Sequence, residues 1–295
     1  DEMTAGWQQS DLIIIAGRPA MGKTSFALSI AKNIAIDYRK PVAFFSLEMN
    51  NVQLINRLIS NVCEVPGSKI LSGQLSEDEW VRFDKRLPQM QGAPLYVDDT
   101  PGLSVFELRT KARRLKREHD IQLLMIDYLQ LMNANGMRFN SRQEEVSTIS
   151  RSLKGLAKEL DIPIIALSQL NRTVEQRDGL DGKRPQLSDL RESGAIEQDA
   201  DMVLFVHRPE YYHIYQDSNG QDLRGRAQII IAKHRKGSVG DVLLNFRGEF
   251  TRFQDPQDAA AAPVEEGGEI VGSRMNGGGQ DGSPLPPPPA ENLPF

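Results

Sequence analysis

With 295 residues, 39% hydrophobic and 25% charged, the chain has ample length for a buried core and holds one large α/β domain or two small ones. No apolar run nears the roughly 18 residues of a membrane span, no signal-peptide pattern opens the sequence, and the single cysteine, Cys63, excludes an intramolecular disulfide and fits a reducing cytoplasm. The net charge of −5 is that of the segment from Pro256 onward, where six acids face one base, Arg274, so residues 1–255 sum to zero and remain free to carry a polyanion-binding surface.

The chain begins at Asp1 without a start methionine, as expected of a fragment that lacks its N-terminal region. Leu12–Ala16 is a short β-branched apolar run and predicts a strand; Ser25–Tyr38, with Phe26, Ile30 and Ile34 at helical spacing, predicts a helix. Between them Gly17 to Thr24 read G-R-P-A-M-G-K-T, a full match to the phosphate-loop pattern G-x-x-x-x-G-K-[ST]. In such a loop Gly17 and Gly22 permit a tight turn whose N–H groups converge on phosphate oxygens, and Lys23 reaches the β/γ-phosphates. The Thr24 hydroxyl can ligate Mg²⁺, and the following helix points its positive end at the ligand. The expected ligands are a nucleoside triphosphate and Mg²⁺, with Gly17, Arg18, Pro19, Ala20, Met21, Gly22, Lys23, Thr24 and Ser25 as candidate nucleotide-binding residues.

Val42–Ser46 predicts a second strand, followed at Phe44–Met49 by F-F-S-L-E-M, in which Glu48 is a candidate base for activating water near the γ-phosphate. By pattern alone Glu48 reads better as an acid at a helix N-terminus, stabilised by the helix dipole. Helices are expected over Val52–Val62, Glu77–Met90 and Val105–Glu118. The cations of the last, Arg109, Lys111, Arg113, Arg114, Lys116 and Arg117, go around the helix more than along one face, which marks an exposed helix rather than a nucleic-acid site. Leu123–Asp127 is an apolar strand ending in an acid, and paired with the phosphate loop Asp127 is a candidate Mg²⁺-associated carboxylate.

Gln143–Leu160 is a helix whose Ile149, Leu153, Leu156 and Leu160 form one apolar stripe. Pro163–Ser168 predicts a strand followed by Gln169, an amide able to bond the γ-phosphate or the attacking water, or simply a polar strand end. Strands over Met202–Val206 and Ile229–Lys233 complete the alternation, and glycines at 237, 240 and 248 punctuate an antiparallel edge. The sum is an α/β fold with a mostly parallel sheet flanked by helices. Residues 256–295, rich in Ala, Gly and Pro runs, cannot bury enough apolar surface to offset chain entropy and are expected to form a disordered acidic tail after a domain over 1–255.

G-R-P-A-M-G-K-T, F-F-S-L-E-M, M-I-D-Y-L-Q-L-M, I-A-L-S-Q-L-N-R, S-D-L-R-E-S-G-A-I-E-Q-D-A-D and I-I-I-A-K-H-R-K-G occur in that order over roughly residues 4–253. Together they resemble the ATPase domain of the DnaB-type replicative DNA helicases, a RecA-like phosphate-loop NTPase fold. The resemblance implies a homo-hexameric ring that moves along single-stranded DNA, with ATP bound between subunits, a helicase loader and primase as partners, no membrane, and the cytoplasm of a bacterium or a phage-infected host. It makes Glu48 the water-activating base, Gln169 the γ-phosphate sensor, Thr24 and Asp127 the Mg²⁺ residues, and places Arg57 near the adenine. Lys233 and Arg235 match the cation pair that reaches the neighbour's γ-phosphate; without the family, K-H-R-K reads as a solvated basic strand end.

Arg191, Glu192 and Gly194 match the DNA-contacting loop, and Arg138, in Met132–Ser141, marks a second candidate channel loop. Where the family usually carries K-Q-R-N-G-P, this chain reads K-H-R-K-G-S from Lys233, keeping both cations. The family's N-terminal, primase-engaging domain is absent from this sequence. A RecA-type recombinase filament is the rival within the fold, and a non-motor docking module for a helicase loader is the rival outside it.

Overall fold

In the computed structural model of the chain, residues 3–134, 139–177, 182–217 and 219–256 are described, the side chains of 191–193 excepted. Nine strands form one sheet in the order β3-β2-β4-β5-β1-β6-β7-β8-β9. The central strands are β1 (Leu12–Gly17), β2 (Val42–Ser46), β4 (Leu123–Asp127), β5 (Ile164–Gln169) and β6 (Met202–His207), all parallel to their neighbours in that set. β3 (Leu95–Asp98) adds a parallel edge beside β2, while β7 (Arg226–His234), β8 (Gly240–Arg247) and β9 (Arg252–Gln254) continue the sheet antiparallel.

The strands read as continuous apolar runs because both faces of the sheet are covered, so alternate residues serve two cores. Leu12, Ile14 and Ala16 of β1 face one side with Phe45, Ile126 and Ala166. There they pack against α5 (Val105–His119) and α6 (Arg142–Leu160) through Leu108, Ile149, Leu153 and Leu156. Ile13 and Ile15 face the other side with Phe44, Met125 and Leu167, under Phe26 and Leu28 of α1 (Lys23–Lys32) and Leu54 of α2 (Asn51–Cys63). Burying each such Leu, Ile or Phe stabilises the fold by roughly 1.5–3 kcal/mol. A third, smaller cluster joins α2 to α3 (Gly67–Ser72) and α4 (Glu77–Arg86) around Leu58, Val62 and Cys63. Burial pushes the Cys63 thiol up to about 11, so it is a packing group rather than a reactive one.

The helices start where the sequence supplies caps. Asn50 with Gln53, Ser76 with Glu79 and Ser104 with Glu107 form reciprocal capping boxes at α2, α4 and α5. Most of the cations of α5 are spent on ion pairs. Arg109 and Arg113 both bond Glu159 of α6, Lys111 bonds Asp98 at 2.6 Å, and Lys116 bonds Asp120 at 2.7 Å. This matches the reading of α5 as an exposed helix, and the ion pairs add what the sequence did not show.

The structure differs from the sequence reading at several elements, including two short helices, Gly67–Ser72 and Gly194–Asp199, that the sequence reading did not assign. The first helix ends as α-helix at Lys32 and closes with a wide π-helical turn, Asn33–Asp37. The fourth ends at Arg86, where Pro88 forces a 3₁₀ turn over Leu87–Met90. The edge strand β3 was not anticipated: it has four residues, each only half-buried, and carries too little pattern to detect. From residue 257 on, the expected tail lies outside the described residues.

Candidate active site

β1 delivers the phosphate loop to the C-terminal edge of the parallel strands, between β5 and β6, the position where α/β sheets bind ligands. Gly17 cannot carry a side chain there, because a Cβ would lie 2.9 Å from the Val206 carbonyl and 3.3 Å from Lys23 Cγ. Gly22 adopts φ +89°, and a Cβ would sit 3.2 Å from the Phe253 ring. The loop then enters α1 directly, with no side-chain cap on its first N–H groups, which leaves them for an anion.

Around this loop one cleft of about 410 Å³ gathers Pro19, Ala20, Gly22, Lys23, Thr24, Ser25, Glu48, Arg57, Asp127 and Gln169. The ends of β1, β2, β4 and β5 thus bring four separate motifs together. Of the remaining loop residues, Gly17 offers only backbone, Met21 is buried in the core, and the Arg18 side chain turns away from the cleft to bond Glu175 at 2.9 Å. Met49, Tyr128, Phe246 and Thr251 complete the lining and were missed by the sequence reading. Phe246 and Thr251 arrive through the antiparallel β8–β9 end of the sheet, a long-range placement with no local signal.

Thr24 Oγ1 donates to Asp127 Oδ2 at 2.7 Å. Burial pushes the Asp127 carboxyl up to about 6, Glu48 adds to the shift, and the Thr24 bond, Lys23 and Arg57 oppose it. Lys23 is held below the usual lysine range by burial, against the attraction of Asp127 and Glu48, and its Nζ rests on the Arg18 carbonyl at 3.2 Å. The site therefore holds two carboxylates near one partly desolvated cation. A hydroxyl and a buried carboxylate side by side suit Mg²⁺, which takes one or two protein oxygens and completes its shell with phosphates and water. Among the described residues no three His, Cys, Asp or Glu side chains converge as an all-protein metal cage.

Glu48 does not take the helix-terminal role that its pattern favours. α2 begins three residues later, capped by Asn50, and has no acid in its first turn. Glu48 stays exposed at the cleft and makes no hydrogen bond among the described residues.

Gln169 ends β5 beside Gly17. Its carbonyl accepts from Gln130 Nε2 at 3.3 Å, and its N–H donates to Gln130 Oε1 at the same distance. Gln130 was not singled out from the sequence; it lies three residues past Asp127 in a 3₁₀ turn, which has no readable period. Gln169 also borders a second cavity of about 610 Å³, lined by Arg18, Gln130, Leu170 and Asp189. That cavity reaches the 3₁₀ segment Leu187–Ser193, which carries Arg191 and Glu192 and runs straight into α7 (Gly194–Asp199). Gly194 is exposed and right-handed helical, and a Cβ there would meet nothing within 4 Å, so the fold itself does not require glycine. Arg138 lies outside the described residues.

Lys233 and Arg235 stand apart from the cleft. β7 is antiparallel to β6, and His234 pairs with Met202, which pairs with Ile13 near the start of β1. The two cations thus lie at the opposite end of the sheet from the phosphate loop, about 15 Å away along β1. Both are held by the last turn of α7: Lys233 Nζ bonds the Glu197 carbonyl and Arg235 Nη2 the Gln198 carbonyl. Asp201 backs them, accepting from Leu12 N–H at 2.8 Å and facing Arg235 Nη1 at 3.5 Å. Burial works to raise the Asp201 carboxyl, but its Lys154 bond, the Leu12 N–H and the nearby cations hold it below the usual range.

A phosphate loop after the central strand, an acid on β4, a glutamine on β5 and an antiparallel extension of the sheet define a RecA-like phosphate-loop NTPase domain. The family model described as DnaB-like helicase C terminal domain matches residues 1–255, and the chain belongs to that family. It is 47% identical over 253 residues to the replicative DNA helicase DnaB of Geobacillus stearothermophilus, covering 86% of this chain and 54% of that protein. It is 50% identical over 258 residues to DnaB of Pasteurella multocida, covering 86% of this chain and 53% of that one. The chain spans about half the length of the curated relatives it matches. Among solved structures, a DnaB-like replicative helicase, solved in a study of its interactions with primase, is 40% identical with a TM-score of 0.78, covering 86% of this chain and 59% of that chain. A second, of an ATPase domain alone, is 40% identical with a TM-score of 0.79, covering 86% and 88%.

Proposed function

We propose that this chain is the ATP-driven motor of a replicative DNA helicase, working as a homo-hexameric ring that translocates on single-stranded DNA and unwinds duplex. The observation that carries the reading is the single cleft in which Lys23, Thr24, Glu48, Asp127 and Gln169 meet from four motifs. Lys23 leaves the Arg18 carbonyl to bind the β/γ-phosphates of ATP, with the loop N–H groups holding the remaining oxygens. Thr24 and Asp127 hold Mg²⁺, which when bound neutralises charge on the phosphate oxygens. Glu48 accepts a proton from the attacking water, Gln169 bonds the γ-phosphate or that water, and Arg57 lies toward the base.

Lys233 and Arg235 act in trans, as the fingers of the neighbouring subunit's site. Their placement about 15 Å along the strand from their own phosphate loop supports this, since neither side chain spans that distance. Arg191, Glu192 and Gly194, with Arg138, form the track for the DNA backbone: Arg191 pairs with phosphate and Gly194 admits close approach to its N–H. A helicase loader and primase are the expected partners; the relative studied with primase supports the second.

The test is ATP hydrolysis and forked-duplex unwinding by the parent chain and Glu48→Gln. The parent hydrolyses ATP faster with single-stranded DNA and separates the fork. Glu48→Gln retains nucleotide binding but loses hydrolysis by about 10²–10⁴-fold. A parent chain without DNA-stimulated hydrolysis would instead favour a docking module.

A further inference from the structure

The Arg18 side chain has a use that nucleotide binding does not explain. Only 5% exposed, it donates from Nε to Glu175 Oε1 at 2.9 Å and from Nη1 to the Leu170 carbonyl at 2.7 Å. The Leu170 N–H donates back to the Gly17 carbonyl at 3.3 Å. The start of the phosphate loop and the residue after Gln169 are therefore bonded in both directions. Glu175 belongs to a 3₁₀ turn, Arg172–Gln176. Directly after that turn Arg177 Nη2 donates to Asp189 Oδ2 at 2.6 Å. Asp189 is 6% exposed and caps the segment Leu187–Ser193 by accepting from Gln186 N–H at 2.7 Å. Its carbonyl also accepts from Asn171 N–H at 3.2 Å. One short turn is thus pinned to the nucleotide loop by one ion pair and to the Arg191–Glu192 segment by another, with Leu170, Val174 and Leu190 buried between them.

We propose that Arg172–Arg177 is the element that couples the nucleotide cleft to the DNA-facing segment, with Glu175 and Arg177 as its two positioning residues. The proposal rests on the functional reading above. Its input is local: Lys23 Nζ now bonds the Arg18 carbonyl, and a phosphate competes for that ammonium, so nucleotide binding changes the peptide that carries the Arg18 guanidinium. The planar guanidinium is forked between two acceptors in a buried site, and parting from either would leave a desolvated charge short of a partner. A turn of five residues with Val174 fully buried moves as a unit. The displacement arrives at Asp189, and with it at the cap of the segment that carries Arg191.

The experiment measures reciprocal coupling. Fluorescence anisotropy gives the affinity for labelled oligothymidine with and without a non-hydrolysable ATP analogue, and a labelled analogue is titrated with and without oligothymidine. The chains are the parent, Glu175→Gln and Arg177→Gln. The parent is expected to show a coupling factor in the usual range of about 5- to 150-fold. Each variant should bind either ligand alone within about twofold of the parent, while its coupling factor falls at least about fivefold, to near one if the parent lies at the low end of that range. Coupling retained at the parent level in both variants overturns the proposal. So does a loss of both solo affinities with coupling intact, which would mark the two pairs as merely structural. A parent that binds neither ligand defeats the functional reading itself, so the two failures are distinct.

Discussion

Lys23 concentrates the electrostatics of the cleft in one ammonium, partly desolvated and facing Asp127 and Glu48. Lys23→Ala removes a ligand contact and one hydrogen bond to a loop carbonyl, so stability should change by no more than about 1 kcal/mol, while ATP hydrolysis with DNA present should fall at least about 100-fold. Thermal melting and a phosphate-release assay check both halves; parent-level hydrolysis would show that the motif is not used. His207, buried at the end of β6 and stacked on Tyr212 with ring centroids 5.8 Å apart, makes a separate prediction. Burial, aided by the Arg184 charge and opposed by Asp241, lowers its pKa to about 4. Its folded pKa lies below the unfolded value, so the unfolded chain binds more protons between the two. The stabilisation is complete above about pH 6.5 and is lost as pH falls toward 4, amounting to about 3 kcal/mol. Urea titrations at pH 7 and pH 4.5 should show a shallower decline for His207→Phe than for the parent; equal declines would exclude His207 as a source. At this scale the sequence was readable where chemistry fixes identity, as in Lys23, Thr24 and Asp127, and less so where geometry assigns the task. Glu48 reads as a helix-end acid until Asn50 is seen to cap α2, and Arg18 reads as a loop residue until its side chain is seen on Glu175.

Among the elements, β1, β2, β4, β5 and β6 are legible because burial on both faces makes each a nearly unbroken apolar run. β3 and the 3₁₀ segments at Arg172–Gln176 and Leu187–Ser193 are not, since short half-buried strands and 3₁₀ turns have no sustained period. The segment around Arg191 stands out only through family resemblance, and so do Lys233 and Arg235, whose local pattern is that of a solvated strand end. Their position at the end of β7, bonded to the last turn of α7, nevertheless yields a sharp test of action in trans. Arg235→Ala and Lys23→Ala are each expected to hydrolyse little ATP alone, the arginine variant being slower by as much as about 10³–10⁵-fold if GTPase precedents hold. Mixed into one ring, an Arg235→Ala subunit supplies an intact phosphate loop to a Lys23→Ala neighbour with intact fingers. Partial recovery of the rate across a mixing series is the expected result. Its absence, in mixtures shown to form joint rings, would place the fingers elsewhere.

For the whole molecule, the strongest structural fact is that the phosphate-loop cleft and the Lys233–Arg235 pair lie at opposite ends of the sheet. Action in trans, as proposed, requires subunits that repeat head to tail, and a head-to-tail contact either closes into a ring or winds into an open filament. Composition could not decide between them: with the whole segment from Pro256 onward set aside, residues 1–255 are neutral. A closed ring working on a single strand can be tested by electron microscopy of the chain with a non-hydrolysable ATP analogue and oligothymidine. The expected images show six-fold rings enclosing the strand, with nucleotide between subunits and Lys233 and Arg235 of each facing the phosphate loop of the next. Open helical filaments coating the strand would contradict the closed ring.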